Sequence, residues 1–105
     1  MNKAEINQLH GYLNKLYNLL KTGSKINFCR QSAKKFNSIT EVSANRLTHW
    51  FTDVNSLPKD KYIVKEFFQM AFNWLDCELK VQYSPERSRI QAIDLTTQMI
   101  KEKLQ

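Results

Sequence analysis

Glycine and proline are both scarce in this chain of 105 residues, which contains two of each. Sheet proteins with many turns need residues of these types, and disordered chains are poor in apolar residues. Here 42% of the residues are hydrophobic. We therefore predict one ordered, all-α domain spanning residues 1–105, long enough to bury a modest core without disulfides.

Cysteine and histidine are scarce as well. Cys29 and Cys77 lie far apart without a CxxC motif, and we interpret both as free thiols on the apolar sides of helices. His10 and His49 have no carboxylate or cysteine at the spacing of a metal site or a catalytic triad. Two glycines are too few for a phosphate-binding loop. We predict no metal, no cofactor and no enzymatic activity.

A long apolar run is also missing. The most hydrophobic stretch, residues 62–75, is too short to span a bilayer and contains Lys65 and Glu66. The N-terminal residues lack the apolar segment of a signal peptide. We therefore expect a cytoplasmic protein that does not enter a membrane.

Positive charge is concentrated in one part of the chain. The formal net charge is +6, and residues 21–50 contain six basic residues against one acid, Glu41. In the rest of the chain, the positive and negative charges nearly balance, with ten basic residues against nine acids. A surface that binds a polyanion needs this asymmetry, although a solvated helix face can also have it.

Apolar residues recur every three or four positions along the chain, and no segment alternates as a strand does. The spacing predicts five helices. We place the first at 4–21, ended by Gly23 in a left-handed turn, and the second after a cap at Ser24. The third covers 43–52. The fourth has Pro58 in its first turn and precedes a connector at 80–83, and Ser84 and Pro85 open a fifth helix at 85–104.

The fourth helix is apolar over a wide arc and should lie at the centre of the core. One stripe contains Ile63, Phe67, Met70, Trp74 and Cys77, and the adjacent stripe contains Val64, Phe68, Ala71, Leu75 and Leu79.

The fifth helix has an apolar stripe that ends at Leu104. Such a stripe either packs on the fourth helix or pairs with its copy in a homodimer. For the dimer, we place Ile93 and Ile100 in the contact.

The third helix is the most informative stretch. Ser43 can cap it, and Leu47 and Trp50 belong to a stripe that should face the core. The opposite face carries short polar side chains without an acid. Asn, Arg, Ser and Thr are residue types that bond base edges in the major groove. This composition indicates a DNA-recognition helix.

The pattern Val42-Ser43-x-x-x-Leu47-Thr48-x-Trp50 resembles the recognition helix of phage repressor and Cro-like helix-turn-helix domains. Pro58 lies where those domains often place a proline before their fourth helix, and Ala33-x-x-Phe36 is similar to their first motif helix. The resemblance covers about residues 24–75, with the helix-turn-helix itself at 25–53. It implies a DNA-binding transcriptional regulator.

The resemblance also implies roles for individual residues. Base edges would be read by Ser43, Ala44, Asn45, Arg46, Thr48 and His49. Phosphates would be contacted by Arg30, Gln31, Lys34, Lys35, Asn55 and Lys59.

One departure keeps an alternative open. Five residues, Asn37 to Glu41, separate Phe36 from Val42, where the family has a single residue, usually glycine. A longer turn changes how two helices cross. Either the chain is an expanded variant, or it is another small helical fold. The alternative function is that of an interaction protein, such as an anti-activator or a phage inhibitor, whose basic face binds an acidic partner.

Overall fold

The computed structural model describes the backbone over residues 1–83 and 87–104 and the side chains over 1–82 and 94–104. It confirms the all-helical prediction, because these residues form five α-helices and no strand. The helices are α1 (Lys3–Asn18), α2 (Thr22–Phe36), α3 (Ala44–Thr52), α4 (Lys61–Tyr83) and α5 (Arg87–Leu104), with a short 3-10 turn at Val54–Ser56.

The boundary between α1 and α2 differs from the prediction. α1 ends at Asn18 and α2 begins at Thr22, so Gly23 lies inside the first turn of α2 and has no left-handed conformation. Ser24 is not the cap: its hydroxyl donates to the carbonyl of Lys21 and accepts from the side chain of Gln82. The turn between the helices therefore lies at residues 19–21, three positions earlier than predicted.

Both ends of α4 also differ from the prediction. The helix begins at Lys61 rather than at Pro58, because the carboxylate of Asp60 accepts from the backbone N–H groups of Tyr62 and Ile63. It continues through residues 80–83, which the sequence suggested as a connector. Pairs four residues apart support this last part, Lys80 with Asp76 and Gln82 with Glu78. The predicted cap at Ser84 and Pro85 lies outside the described residues.

α4 supplies the centre of the core, as predicted. The stripe of Val64, Phe68, Ala71, Leu75 and Leu79 is buried along its whole length. The neighbouring stripe is only partly covered: Phe67 is fully buried, but Ile63, Met70 and Trp74 are half-buried and Cys77 is exposed. The prediction that Cys77 faces the core was wrong, since none of the described residues covers α4 at that position.

Aromatic rings join the first four helices. The ring of Phe67 in α4 lies 6.0 Å from Phe36 of α2 and 5.3 Å from both Trp50 and Phe51 of α3. Tyr17 of α1 stacks on Phe51 at 5.0 Å. Because one cluster contacts all four helices, the position of α3 is coupled to α1, α2 and α4.

α5 runs antiparallel to α4. The ammonium of Lys80 bonds Asp94, while Gln69 lines the same cleft as Leu104 at the opposite end of the pair. Ile100 is 1% exposed and packs in the chain's own core, which is the first of the two roles that the sequence allowed for the stripe of the fifth helix. The side chain of Ile93, the other predicted dimer contact, lies outside the described residues.

Candidate nucleic-acid interface

α3 is a nine-residue helix with a defined start. The hydroxyl of Ser43 accepts from the backbone N–H of Arg46 at 3.1 Å, as its predicted role as a cap requires. Leu47, Trp50 and Phe51 are buried and hold one side of the helix in the core. The sequence did not single out Phe51, although it follows Leu47 by four residues and belongs to the same stripe.

The other end of α3 is held by α1. The carbonyls in the last turn of a helix have no partner within it. Here the Nε2 of His10 donates to the carbonyl of Trp50 at 2.8 Å, and Asn14 donates to the carbonyl of Phe51 at 3.3 Å. His10 is 5% exposed. Its burial lowers the pKa, and the bond to Trp50 and the charge of Asp53 act in the opposite direction.

Residues 37–43 connect α2 to α3 and are tied down by three bonds. The backbone N–H groups of Ile39 and Thr40 donate to the carbonyl of Phe36, which continues α2 for one more turn. The side-chain oxygen of Asn37 then accepts from the N–H of Val42 at 2.9 Å. Val42 itself is buried. The long connection is therefore ordered by local bonds rather than by a glycine.

Three of the predicted base-contact residues face outward. Asn45, Arg46 and His49 are exposed on α3, and their side chains make no hydrogen bond or ion pair in the described part of the chain. Asn45 and Arg46 are adjacent, and His49 follows them by four and three positions, so the three side chains lie on one face of α3. Polar groups without an internal partner are available to an external one.

The other three predicted base-contact residues are less available. The hydroxyl of Ser43 serves as the helix cap. Thr48 is half-buried and donates to the carbonyl of Ala44 at 2.9 Å. Ala44 is half-buried and packs against the core. These residues shape the start of the helix more than they present groups to a ligand.

Four of the six predicted phosphate-contact residues lie on α2, where they form two sets. Arg30 and Lys34 are one turn apart in the middle of the exposed face. Gln31 and Lys35 are also exposed, but they border a groove between α2 and α4. Lys34 and Lys35 lie in the last turn of α2, where positive charge is favourable to the helix dipole.

Asn55 and Lys59 follow α3 and are exposed. Asn55 lies in the 3-10 turn, where its backbone N–H donates to Asp53 and its side chain makes no bond within the described residues. These two residues extend the polar surface beyond the C-terminal end of α3 rather than along α2.

The exposed surface of α2 and α3 is positively charged. Neither α2 nor α3 contains an acid. Among the described residues, the only ion pairs join Lys80 to Asp76 and Asp94, on the α4–α5 side of the molecule, and these two carboxylates raise the pKa of Lys80. The charges of Arg30, Lys34 and Arg46 are therefore not neutralised by neighbouring carboxylates.

Other kinds of site find no support in the described residues. No three His, Cys, Asp or Glu side chains are grouped there in a way that could hold a metal ion. None of the helices searched over the same residues is long and apolar enough to cross a membrane.

Comparisons with known proteins do not add to this description. No protein-family model, curated protein sequence or solved structure matches the chain.

Proposed function

We propose that this chain binds duplex DNA, with α3 reading base edges and α2 contacting phosphates. One observation carries the proposal. Asn45, Arg46 and His49 project from a short helix that is capped at one end and bonded to α1 at the other, and none of the three has a partner among the described residues.

The chemistry of these side chains suits the major groove. An Asn amide can bond an adenine through both its donor and its acceptor, and an Arg can bond a guanine in the same bidentate manner. A helix is also of the right width to enter that groove. Since α3 is held at both ends, little ordering is needed before its side chains meet the bases.

α2 would contribute affinity without sequence preference. Arg30 and Lys34 carry charges that no acid on α2 or α3 neutralises. Contacts from such residues to phosphates release counterions, so binding should weaken steeply as salt is added. Together, the two helices supply a helix-turn-helix reader of the kind that regulates transcription.

Fluorescence anisotropy with labelled duplexes tests the proposal. Arg30→Gln and Lys34→Gln should each weaken binding to every duplex and reduce the salt slope by about one unit. Lys101→Gln is the matched control, because it removes one exposed charge from α5, a helix that packs on α4 and α1. It should change neither affinity nor slope.

Asn45→Ala tests base reading separately. On a duplex selected from a random pool, the loss should be about 1–3 kcal/mol, with little change on random DNA. Equal losses on both duplexes would mean that α3 binds without reading sequence. No binding at low salt, by a protein whose helices are intact by circular dichroism, would contradict the proposal as a whole.

A further inference from the structure

The groove between α2 and α4 is the strongest feature that the proposed function does not use. It has a volume of about 190 Å³. One wall is the side of α2 between Phe28 and Lys35, and the other is the side of α4 between Trp74 and Val81. Each wall is two helical turns long, or roughly 10 Å.

The floor of this α2–α4 groove is apolar. Phe28 is buried beneath it, Trp74 is half-buried, and Val81 is 75% exposed, which is the largest exposure among the large apolar side chains of the described residues. In its described part, α5 meets α4 on another side, where Lys80 bonds Asp94. The groove therefore has the shape and the surface to accept one apolar ridge from another molecule.

The rim of the groove is basic on its α2 side. Lys35 borders it and makes no ion pair with any described residue, and Arg30 and Lys34 continue the positive surface along α2. On the α4 side, Glu78 is the one acid of the described lining, and it accepts from the side chain of Gln82 at 3.2 Å. A partner that carries acids beside its apolar ridge would complement this rim.

We propose that the α2–α4 groove binds an acidic amphipathic helix of a partner protein. The apolar residues of that helix, spaced by three or four positions, would lie on Trp74 and Val81, and its acids would pair with Lys35 and the basic surface beside it.

Two other occupants fit less well. In a two-fold symmetric contact, a second copy of this chain would bring the same basic α2 face to the groove, and like charges disfavour that contact. Duplex DNA presents charged phosphates and has no apolar ridge for the floor. The inference does not depend on DNA binding by α3.

Protection of Cys77 from alkylation gives a direct test on the intact chain. Cys77 lines the groove and is exposed, whereas Cys29 is buried. Maleimide modification of Cys77, followed by mass spectrometry, therefore reports whether the groove is covered. The probes are synthetic helical peptides of about eighteen residues, roughly 27 Å long. They carry Leu at i, i+4 and i+7, or at i, i+3 and i+7, a few Glu beside this stripe and Ala elsewhere, and a matched pair replaces every Glu with Lys.

The acidic peptides should slow the alkylation of Cys77 in a saturable manner, and the Lys peptides should not. Val81→Asp should weaken the protection by about tenfold, because it places a charge on the apolar floor. Lys35→Glu should weaken it by about fivefold, since it reverses a rim charge. Leu95→Asp is the matched control, because Leu95 is 65% exposed on α5, away from the groove.

Three outcomes would overturn the proposal. One is that no acidic peptide protects Cys77 at millimolar concentration. Another is protection that persists unchanged in Val81→Asp, which would show attraction to the basic surface without use of the groove. The third is protection by duplex DNA but by no peptide, which would assign the groove to nucleic acid. Since Val81 and Lys35 are exposed, circular dichroism should confirm that both variants fold.

Discussion

His10 should make the stability of the protein depend on pH between about 5.5 and 7.5. A backbone carbonyl only accepts hydrogen bonds, so the 2.8 Å contact with Trp50 requires the proton of the neutral ring to be on Nε2. Burial lowers the pKa of His10 from its ordinary value of 6.5, so the folded protein favours the neutral ring.

The sign of the effect follows from proton binding. Well above pH 6.5, the ring is neutral in both the folded and the unfolded chain, and it adds no pH dependence. As the pH falls through 6.5, the unfolded chain takes up the proton more readily, so the free energy of unfolding decreases. The decrease levels off once the pH is below the folded pKa. One titrating proton can contribute no more than about 1.4 kcal/mol for each pH unit below 6.5, and the Tm should fall together with the free energy of unfolding.

Thermal unfolding followed by circular dichroism at a series of pH values measures this effect. His10→Gln should be nearly flat over the range, because an amide can donate to Trp50 but does not titrate there. His49→Gln is the control, since His49 is the only other histidine and is exposed on α3, so the wild-type slope should remain. The assignment of His10 as the titrating group would be refuted if the Tm of His10→Gln still fell with pH. It would also be refuted if the Tm of the wild-type protein did not change with pH.

Urea unfolding should test three further features. Phe67→Ala should lower the free energy of unfolding by about 3–5 kcal/mol because Phe67 is fully buried, and Trp74→Ala, which the sequence placed at the centre of the core, should cost less since the ring is half-buried. Thr97→Val should raise it by about 1 kcal/mol, because the buried hydroxyl of Thr97 has no partner among the described residues. Thr48→Val removes a hydrogen bond and should lower it. Ser43→Ala should cost about 0.5–2 kcal/mol through loss of the cap. A Thr97→Val protein no more stable than wild type, or equal losses at Phe67 and Trp74, would contradict these assignments.

Periodicity predicted the features that a single helix determines. The stripe from Val64 to Leu79 repeats every three or four residues, and burial of that stripe needs no knowledge of its neighbours. Ser43 was also predictable as a cap, because a Ser before an apolar run acts through a bond within its own helix.

Helix ends and covered faces were less predictable. A helix can begin near Ser56, Pro58 or Asp60. In the structure, the hydrogen bonds that Asp60 accepts fix the start of α4. Cys77 lies on an apolar stripe, but a stripe does not say how far a neighbouring helix extends along it. For the same reason, the sequence did not reveal the α2–α4 groove.

The contacts that place α3 are the least visible in the sequence. His10 bonds Trp50 across forty positions, and no periodicity relates the two. In a tight helix-turn-helix, a short turn restricts how the two helices cross. Here the connection is longer, and α3 is placed instead by α1 at its C-terminal end and by the rings around Phe67. The five-residue connection, Asn37 to Glu41, therefore need not loosen α3, and its outward face can be as well fixed as one set by a glycine turn.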